Sequence, residues 1–470
     1  MQDPEHEGLR AADLESVREQ LGRDPTTPFT VVARCAGGHP LVVRNAPFDV
    51  DGHPFPTTFW LTCPEAVKAV SRVEAGGAIG RINDHARDDE VFGTALEAAH
   101  RAYAAERGEM AEEAVSWGGV AGTRSGVKCL HAHYAYHLAG GADPVGAWVA
   151  EEVEPIHAAP AGRVAVIDQG TNSIRLLVAE PVAGGTFQEI ARDLVITRLG
   201  RGVDATGRLD PVALARTVVV LARDCRRARA LGSERIRVAA TSAVRDAGDS
   251  RDAYAAAVRH HAGSELEVVT GEQEAALSFL GATHGLDPAD GPFLVLDVGG
   301  GSTELVTGSE PGRAEHAVST QIGSVRLTER HIASDPPTPR ELAAVEAAVE
   351  AALGEAGRAA PADRARTLVA CAGTPTTLQA ISLGLARYDP DRIHRTWLAL
   401  EDAERILSEA ARLTNAELAA MPVMSRGRGD VIVAGAAVLV GVMRRFGFDR
   451  ALVSETDILD GLAFDTLGIA

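Results

Sequence analysis

One pattern occurs twice in this chain: an apolar strand, an aspartate, a turn of glycine and small polar residues, and a second apolar strand. The first copy, VIDQGTNSIRLLV, begins at Val166, and the second, VLDVGGGSTELVTG, begins at Val295. A buried hairpin would not interrupt its apolar run in this way, whereas a loop that wraps an anion needs such residues. Two matched copies predict a duplicated domain with a cleft between its halves.

The sequence around these two copies alternates between short apolar strands and helical patterns. Strands are predicted at Val164–Ile167, Ile174–Ala179, Ile236–Ala240, Leu266–Val269, Leu294–Leu296 and Leu368–Ala370. Helices are predicted at Pro211–Leu231, Asp249–His260, Glu272–Leu280, Pro339–Ala356 and Val431–Arg445. This alternation predicts an α/β fold with a mostly parallel or mixed sheet.

The two turns carry the groups that bind phosphate. Glycine lets the backbone approach a ligand and direct N–H groups at it, and hydroxyl and amide side chains add further donors. The candidate phosphate-binding residues of the turns are Gly170, Thr171, Asn172, Ser173, Gly299, Gly300, Gly301, Ser302 and Thr303. An ordinary glycine-rich hairpin is the alternative, and it explains one such turn better than it explains two.

Carboxylates stand at matched places beside the turns. Asp168 and Asp297 each close a strand, and Glu304 lies just beyond the second turn. Oxygen ligands beside phosphate suit Mg²⁺, which retains several waters and binds few carboxylates. We therefore predict that Asp168, Asp297 and Glu304 form a magnesium site.

A helix start and an arginine complete the candidate chemistry. In VVTGEQEAALSFLGA, Glu272 and Glu274 lie in the first helical turn, where acidic residues are common because they stabilise the helix dipole. Spacing alone does not distinguish the two as a catalyst. Arg245, in TSAVRDA, follows a strand and could grip phosphate or pair with Asp246.

Composition excludes several classes of function. A net charge of −19 disfavours nucleic acid as a partner. No run of ~18 apolar residues occurs, so we expect no membrane span. The cysteines are five in number and scattered, which is typical of a reducing cytoplasm. Beyond Lys128 the chain has no lysine, which excludes a Walker-type lysine and lysine Schiff-base chemistry from that region.

Eight motifs, taken together, resemble those of the exopolyphosphatase/guanosine-pentaphosphate phosphohydrolase (Ppx/GppA) family, in its order and approximate spacing over residues 163–470. They are VIDQGTNSIRLLV, TRLGRGVDATGRL, AATSAVRDA, TGEQEA, VLDVGGGSTELV, CAGTPTTL, RGDVIVAGAAVL and SETDILDGLA. The resemblance implies the actin-like/sugar-kinase fold, in which two ribonuclease-H-like domains surround a central cleft. It also implies magnesium-dependent release of the terminal phosphate of polyphosphate, of pppGpp, or of both.

The resemblance assigns roles residue by residue. Glu274 matches the family's catalytic base, although the preceding acidic position is Gln273 here. Asp297 and Glu304 match acidic residues that place metal and water, and Arg175 and Arg245 match arginines that contact phosphate. Dimers are common in the family, so a homodimer is expected.

The N-terminal part differs in its motifs and predicted elements from residues 163–470. It includes RCAGGHPLVVRNAPFDVDGHPFPTTFWLTCPEAVKAVSRVEAGG and GVKCLHAHYAYHLAGGADPVG, which resemble a bacterial domain of unknown function, often encoded near such phosphatases. A helix at Ala12–Leu21, an extended region at Thr30–Val43 and a helix near Ala95–Arg107 predict a separate α+β domain.

Thiol and imidazole groups in this domain suit zinc. The candidate ligands are Cys63, Cys129, His131 and His133, with Cys35 elsewhere. On a strand, Cys129, His131 and His133 would share one face, whereas on a helix His133 would lie one turn from His137. Two alternatives remain, namely buried thiols with hydrogen-bonded histidines, or an uncharacterised active site that includes Asn45.

The predicted division is an N-terminal domain (1–155), a linker (156–162), two phosphatase subdomains (163–270 and 271–450) and a C-terminal segment (451–470) that returns to the first subdomain. The leading functional hypothesis is a cytoplasmic phosphoanhydride hydrolase. A kinase or ATPase of the same fold is one alternative, and a sensor that binds polyphosphate or (p)ppGpp without turnover is the other.

Overall fold

The computed structural model describes residues 11–35, 39–49, 51–55, 57–110, 118–153, 162–425 and 427–469. The predicted linker lies outside this part of the chain except for its last residue. Within the described ranges, none of the helices combines the length and the apolar character needed to cross a bilayer.

The N-terminal unit has the predicted α+β composition, and its strands form a three-stranded antiparallel sheet. Strands β1 (Phe29–Arg34), β2 (Pro40–Asn45) and β3 (Phe59–Leu61) pair in that order. The helices are α1 (Ala11–Leu21), α2 (Pro64–Ala75), α3 (Ala78–Asp88), α4 (Glu90–Met110), α5 (Leu130–Leu138) and α6 (Pro144–Glu152). The YAYHL segment is therefore helical, and the strand alternative for Cys129–His133 is wrong.

The first half of the remaining chain contains one mixed sheet. Its strands are β4 (Val164–Gln169), β5 (Ser173–Val182), β6 (Thr186–Ile196), β7 (Arg235–Ala240) and β8 (Leu266–Val268). Their spatial order is β6-β5-β4-β7-β8, with β7 and β8 parallel to β4 and the β4–β5–β6 meander antiparallel. The helices are α7 (Val203–Thr206), α8 (Pro211–Ala230), α9 (Ser242–Arg245) and α10 (Arg251–Ala262).

The second half repeats this topology. After α11 (Gly271–Thr283), the strands are β9 (Phe293–Val298), β10 (Thr303–Gly308), β11 (His316–Thr320), β12 (Thr367–Cys371), β13 (Thr396–Ala399) and β14 (Arg450–Val453), in the order β11-β10-β9-β12-β14-β13. The helices are α12 (Ser324–His331), α13 (Pro339–Ala359), α14 (Gly373–Ser382), α15 (Pro390–Ile393), α16 (Leu400–Ala410), α17 (Asn415–Ala419), α18 (Ile432–Phe446) and α19 (Ile458–Leu467).

In each half, an antiparallel three-strand meander is extended by parallel strands on the other side of its first strand. The predicted duplication is therefore confirmed, and both halves have the ribonuclease-H-like strand order. The fold is the predicted α/β actin-like/sugar-kinase fold with a central cleft. β13 is an additional edge strand, which pairs antiparallel with β14.

Two helices cross between the halves. α11 packs on β9, β10 and β11 of the second sheet, whereas α19 packs on β4 and β5 of the first. The crossing is a backbone contact, because a Cβ at Gly461 would lie 2.0 Å from the carbonyl oxygen of Leu277 and one at Gly281 would lie 1.8 Å from that of Asp457. Only glycine allows this approach. The crossing holds the first turn of α11 at the cleft.

The N-terminal unit packs directly on the first half. α5 contacts α8, β1 contacts β6, and the buried apolar side chains of both units form one continuous cluster. Arg227 on α8 donates a hydrogen bond to the carbonyl oxygen of Val32 on β1. The face of the first sheet that bears α8 is thus covered by the N-terminal unit, while the cleft lies at the strand ends.

Candidate active site

The two glycine-rich turns meet across the cleft. A Cβ at Gly301 would lie 2.7 Å from the Thr171 hydroxyl oxygen and 2.6 Å from that of Ser242, and a Cβ at Gly300 would lie 3.0 Å from Cβ of Thr171. These distances leave no space for a side chain on either glycine. The residues of both turns that line the cleft are Gly170, Thr171, Asn172, Ser173, Gly299, Gly300, Gly301 and Ser302.

Thr303, the remaining turn residue of the prediction, is not placed for phosphate. Its hydroxyl donates to the carbonyl oxygen of Ile322, and the residue is fully buried. The reason is strand geometry, since Thr303 already pairs within β10 and alternate side chains of a strand point to opposite faces.

Three buried carboxylates lie beside the second turn. Glu274 is in the first turn of α11, Asp297 is near the end of β9, and Glu304 is directly opposite Asp297 in the antiparallel register of β10. Ser278 Oγ donates to Asp297 Oδ2 at 2.6 Å, and Ser319 Oγ donates to Glu304 Oε1 at 2.7 Å. Each carboxylate is at most 7% exposed.

Burial makes these groups hard to ionise together. It raises the pKa of Glu274 to about 7, against the opposing effect of Arg245. It raises the pKa of Asp297 to about 6, with the charge of Asp457 adding to the rise. The pKa of Glu304 is also raised, first by burial and then by the charges of Glu274 and Asp297. A bound cation would relieve this mutual repulsion.

The carboxylates can supply some, but not all, of the oxygen ligands of a magnesium ion. Asp297 and Glu304 are neighbours, and Asp168 Oδ1 is buried without a hydrogen-bond partner. Asp168, Asp297 and Glu304 do not, however, bring three oxygens within 4.8 Å of one another, as a compact all-protein cage would require. Mg²⁺ commonly binds one or two carboxylates and completes its shell with water and substrate phosphate.

Both predicted phosphate-binding arginines are paired with carboxylates. Arg175 donates to Asp168 Oδ2 from Nε at 3.0 Å and from Nη2 at 2.6 Å, and its third nitrogen pairs with Asp457. Arg245 Nη1 donates to Glu274 Oε2 at 3.0 Å and to the carbonyl oxygen of Val269 at 2.9 Å. Arg245 therefore holds Glu274 rather than Asp246, and Arg175 ties the first sheet to the start of α19.

Gln273 has a structural role at the start of the same helix. The side chain of Gln273 accepts a hydrogen bond from the backbone N–H of Thr270, and the Thr270 hydroxyl accepts one from the backbone N–H of Gln273. This reciprocal cap fixes the first turn of α11, on which Glu274 stands. Glutamine serves this purpose as well as glutamate does, so the departure from the family pattern preserves the geometry.

Three segments that line the cleft were assigned no role in the sequence analysis. They are the stretch 372–376, which comprises the residue after β12 and the first residues of α14; Arg428; and the 454–457 turn between β14 and α19. Arg428 donates to the carbonyl oxygen of Gly373 at 2.9 Å and to the Thr377 hydroxyl at 2.9 Å. Ala372 has φ of +68°, an unusual conformation for a residue with a side chain.

A sequence signal was present for two of these three segments. CAGTPTTL and SETDILDGLA each place glycine, hydroxyl or acidic residues directly after an apolar strand, as the two matched turns do. The ends of the parallel strands β9, β12 and β14 meet at one edge of the sheet, so these turns belong to the same cleft.

Arg326 also supports the cleft. Its Nε donates to the carbonyl oxygen of Gly301 at 2.6 Å, and its Nη2 donates to Asp246 Oδ2 at 2.6 Å. It pairs with Asp204 as well. Arg326 thereby joins the second glycine turn to the first half of the fold.

The predicted zinc ligands of the N-terminal domain do not all meet. Cys129 Sγ lies 3.9 Å from His131 Nδ1, and Glu74 joins this pair. His133 is instead fully buried and contacts Asp143 Oδ2 through Nδ1 at 2.6 Å. Cys63 is outside the group and precedes α2. Because 131 and 133 are two apart on a helix, their side chains point to different sides.

The side chain of Asn45 is hydrogen-bonded to the backbone of a neighbouring segment. Its Nδ2 donates to the carbonyl oxygen of Thr57 at 2.9 Å, and it is 3% exposed. Cys35 is buried in the apolar core of the domain. These contacts favour a packing role for both residues.

Comparison with known proteins identifies the larger part of the chain. The profile of the Ppx/GppA phosphatase family matches residues 177–469, and the profile described as "Protein of unknown function (DUF501)" matches residues 31–151. The chain therefore belongs to the Ppx/GppA phosphatase family and carries a DUF501 domain ahead of it. The resemblance noted from the motifs is confirmed for both parts.

Individual relatives agree with this assignment. Exopolyphosphatase 2 of Mycobacterium tuberculosis is 43% identical over 318 residues, covering 65% of this chain and 99% of that protein. The crystal structure of an exopolyphosphatase-like protein is 38% identical, with a TM-score of 0.62, covering 64% of this chain and 98% of the other. The Aquifex aeolicus family member is 29% identical, with a TM-score of 0.55, covering 64% and 96%.

Proposed function

We propose that this chain is a magnesium-dependent exopolyphosphatase that releases the terminal phosphate of inorganic polyphosphate. The observation that carries the proposal is the meeting of the two glycine-rich turns in one cleft, which Glu274 and Asp297 also line and in which Glu304 lies behind the surface, paired with Asp297 across the strands. The similarity to a protein named exopolyphosphatase, at 43% identity over nearly its whole length, supports polyphosphate as the substrate.

Glu274 is the proposed general base. A base works best when its pKa is near the working pH, and burial raises the pKa of this carboxyl to about 7. Arg245 fixes its orientation from one side, and the capped helix start fixes its backbone. The carboxylate accepts a proton from a water, and the resulting oxygen attacks the terminal phosphorus in line with the bond to the departing chain.

The turns are proposed to hold the transferring phosphoryl group. Its equatorial oxygens would accept hydrogen bonds from the backbone N–H groups of Gly299, Gly300 and Gly301 and from the Thr171 hydroxyl. The Ser302 hydroxyl hydrogen-bonds to Glu304 instead. Charge on these oxygens is the main quantity that an enzyme must stabilise in phosphoryl transfer.

Asp297 and Glu304, with the unpaired oxygen of Asp168, are the residues proposed to hold magnesium. When bound, the ion would neutralise phosphate oxygens and help to place the attacking water. Ser278 and Ser319 orient two of these carboxylates from behind. Such supporting hydrogen bonds fix the direction of a ligand oxygen.

The test is phosphate release by the full chain with MgCl₂, comparing short polyphosphate, long polyphosphate, pppGpp and ATP in parallel. We expect release from polyphosphate, and loss of that release in EDTA. Release from pppGpp alone would show that pppGpp, and not polyphosphate, is the substrate. Preferential ATP cleavage would favour the ATPase alternative, and tight polyphosphate binding without release would favour a sensor.

A further inference from the structure

Three half-buried side chains with different ligand atoms meet in the N-terminal domain. The proposed phosphatase mechanism uses none of them. They are the carboxylate of Glu74 on α2, the thiol of Cys129 before α5 and the imidazole of His131 on α5. Their ligand atoms all lie within 4.8 Å of one another. His131 Nδ1 is 3.9 Å from Cys129 Sγ and 3.3 Å from Glu74 Oε1.

The other ring nitrogen of His131 determines what Nδ1 can offer. Nε2 lies 3.1 Å from the carbonyl oxygen of Val67 and 3.1 Å from the Ser71 hydroxyl. A carbonyl oxygen only accepts, so Nε2 carries the hydrogen. Metal binding requires the neutral ring, and in that form Nδ1 presents a lone pair toward Cys129 and Glu74. A backbone carbonyl that orients the far nitrogen is the usual partner of a metal-binding histidine.

One ring nitrogen cannot satisfy both neighbours by itself. It has a single in-plane position, whereas the sulfur of Cys129 and a carboxylate oxygen of Glu74 both face it. A cation placed among the three would accept electron pairs from sulfur, nitrogen and oxygen at once. With Zn²⁺, one thiolate and one carboxylate, the charges of the group sum to zero.

Two of the three ligand separations are close to those around a tetrahedral zinc ion. Zinc–ligand bonds of about 2.0 Å to nitrogen and oxygen and about 2.3 Å to sulfur give ligand separations of about 3.3 Å for N···O and about 3.5 Å for S···N. The observed 3.3 Å equals the first value, and the observed 3.9 Å exceeds the second only slightly. The Glu74 carboxylate is held in place because its Oε1 accepts the backbone N–H of Leu130 at 2.6 Å.

We propose that Glu74, Cys129 and His131 form a zinc site in the DUF501 domain. Neither Cys63 nor His133 belongs to it. The side chains of Glu74 and His131 are 25% and 23% exposed, so an ion can enter from solvent. Three protein ligands leave a fourth tetrahedral position for water, as in zinc sites that are not purely structural.

The test uses the full chain, stripped of metal with a chelator, and Co²⁺ as a spectroscopic substitute for Zn²⁺. A cobalt–thiolate bond gives a near-ultraviolet charge-transfer band, which an all-carboxylate magnesium site in the cleft cannot give. We expect wild-type protein to show the band, Zn²⁺ to abolish it by displacement, and Cys129→Ser to lack it. In Glu74→Gln, the Zn²⁺ affinity of this site, measured by the same displacement, should be at least about tenfold lower than in the wild type.

The matched control is Cys63→Ser, which removes a buried thiol of the same domain and should keep the band. Circular dichroism of each metal-free variant shows whether it folds. Zn²⁺ should also protect Cys129, and not Cys63, from iodoacetamide in the wild-type chain. Absence of the band in folded wild-type protein, its persistence in Cys129→Ser, or alkylation of Cys129 at the same rate with and without Zn²⁺ would overturn the proposal.

Discussion

Replacement of Glu274 by glutamine tests the proposed base with little change in shape. The amide retains a hydrogen-bond acceptor for Arg245 but cannot take a proton from water. A positioned general base contributes about 10²- to 10⁴-fold to the rate, or about 3–5 kcal/mol of the barrier. We expect kcat for polyphosphate to fall by this factor in Glu274→Gln while substrate binding persists.

The control is Glu272→Gln, which changes an exposed carboxylate in the same helical turn. It should keep the wild-type rate. Phosphate release under saturating polyphosphate measures both variants. Hydrolysis by Glu274→Gln at the wild-type rate would refute the assignment of Glu274 as the base.

The pH dependence follows from the same pKa. The base must be ionised, so wild-type kcat/KM should rise with pH through about 7 at low magnesium. Bound cation favours the ionised carboxylate, so added magnesium should move the rise to lower pH. Residual activity of Glu274→Gln should lack this rise.

The stability of the variant provides a second, independent readout. The folded chain holds the Glu274 proton more tightly than the unfolded chain does, because burial raises the pKa from its usual 4.5 to about 7. Folding free energy is therefore lost as pH rises from 4.5 to about 7, by at most about 3 kcal/mol. Glutamine carries no charge and avoids this loss.

In EDTA, urea unfolding should accordingly show that Glu274→Gln is more stable than wild type at pH 8. The difference should shrink toward pH 5, where the wild-type carboxyl is protonated in the folded state. A variant that is less stable than wild type at pH 8 would show that the Arg245 pair, and not burial, dominates the energetics of Glu274.

Three further substitutions test the cleft. Gly301→Ala places a methyl group against the first glycine turn, so kcat/KM for polyphosphate should fall on the order of 100-fold. The control is Gly354→Ala on α13, which has open space around it and should leave kcat/KM unchanged. Arg175→Ala leaves two buried carboxylates unpaired and should lower the free energy of urea unfolding by about 3–5 kcal/mol, while the exposed-pair control Arg405→Ala should change it by less than about 1 kcal/mol. Arg428→Ala should raise the Kd for polyphosphate about 10- to 100-fold in a binding titration, because a charged hydrogen-bond donor contributes about 1.5–3 kcal/mol; an unchanged Kd would remove it from the binding site.

Local patterns predicted the parts of the fold that local forces decide. The strands flanking both glycine turns are apolar and short, and the observed β4, β5 and β9 extend the predicted ranges by only a few residues. The edge strand β6 was missed because TFQEIARDLVI mixes charges with apolar residues. An edge strand that is partly exposed on its faces tolerates such a sequence, so its pattern is weak.

Long-range pairing could not be predicted from the pattern. Arg175 and Asp457 are 282 positions apart, and only the return of α19 to the first sheet brings them together. The same limit applies to Arg245, whose sequence neighbour Asp246 pairs with Arg326 instead. In the N-terminal domain, the sequence left open whether His131 and His133 lie on a strand or on a helix. The observed helix determines which of the predicted ligands can meet.

The charge pairing in the cleft bears on how a polyanion could bind there. Arg175 is held by two carboxylates, Arg192 pairs with Asp460 and Glu189, and Arg245 pairs with Glu274. These three arginines set the positions of acidic groups, and they have little charge left for substrate.

Substrate phosphates would therefore meet backbone N–H groups, hydroxyls and Arg428, on a chain whose net charge is −19. The buried carboxylates Asp297 and Glu304, when ionised, repel a polyphosphate. A cation that contacts both would offset this repulsion, because it would replace repulsion by attraction at the point of contact. Magnesium dependence should accordingly reside in substrate binding as much as in the chemical step.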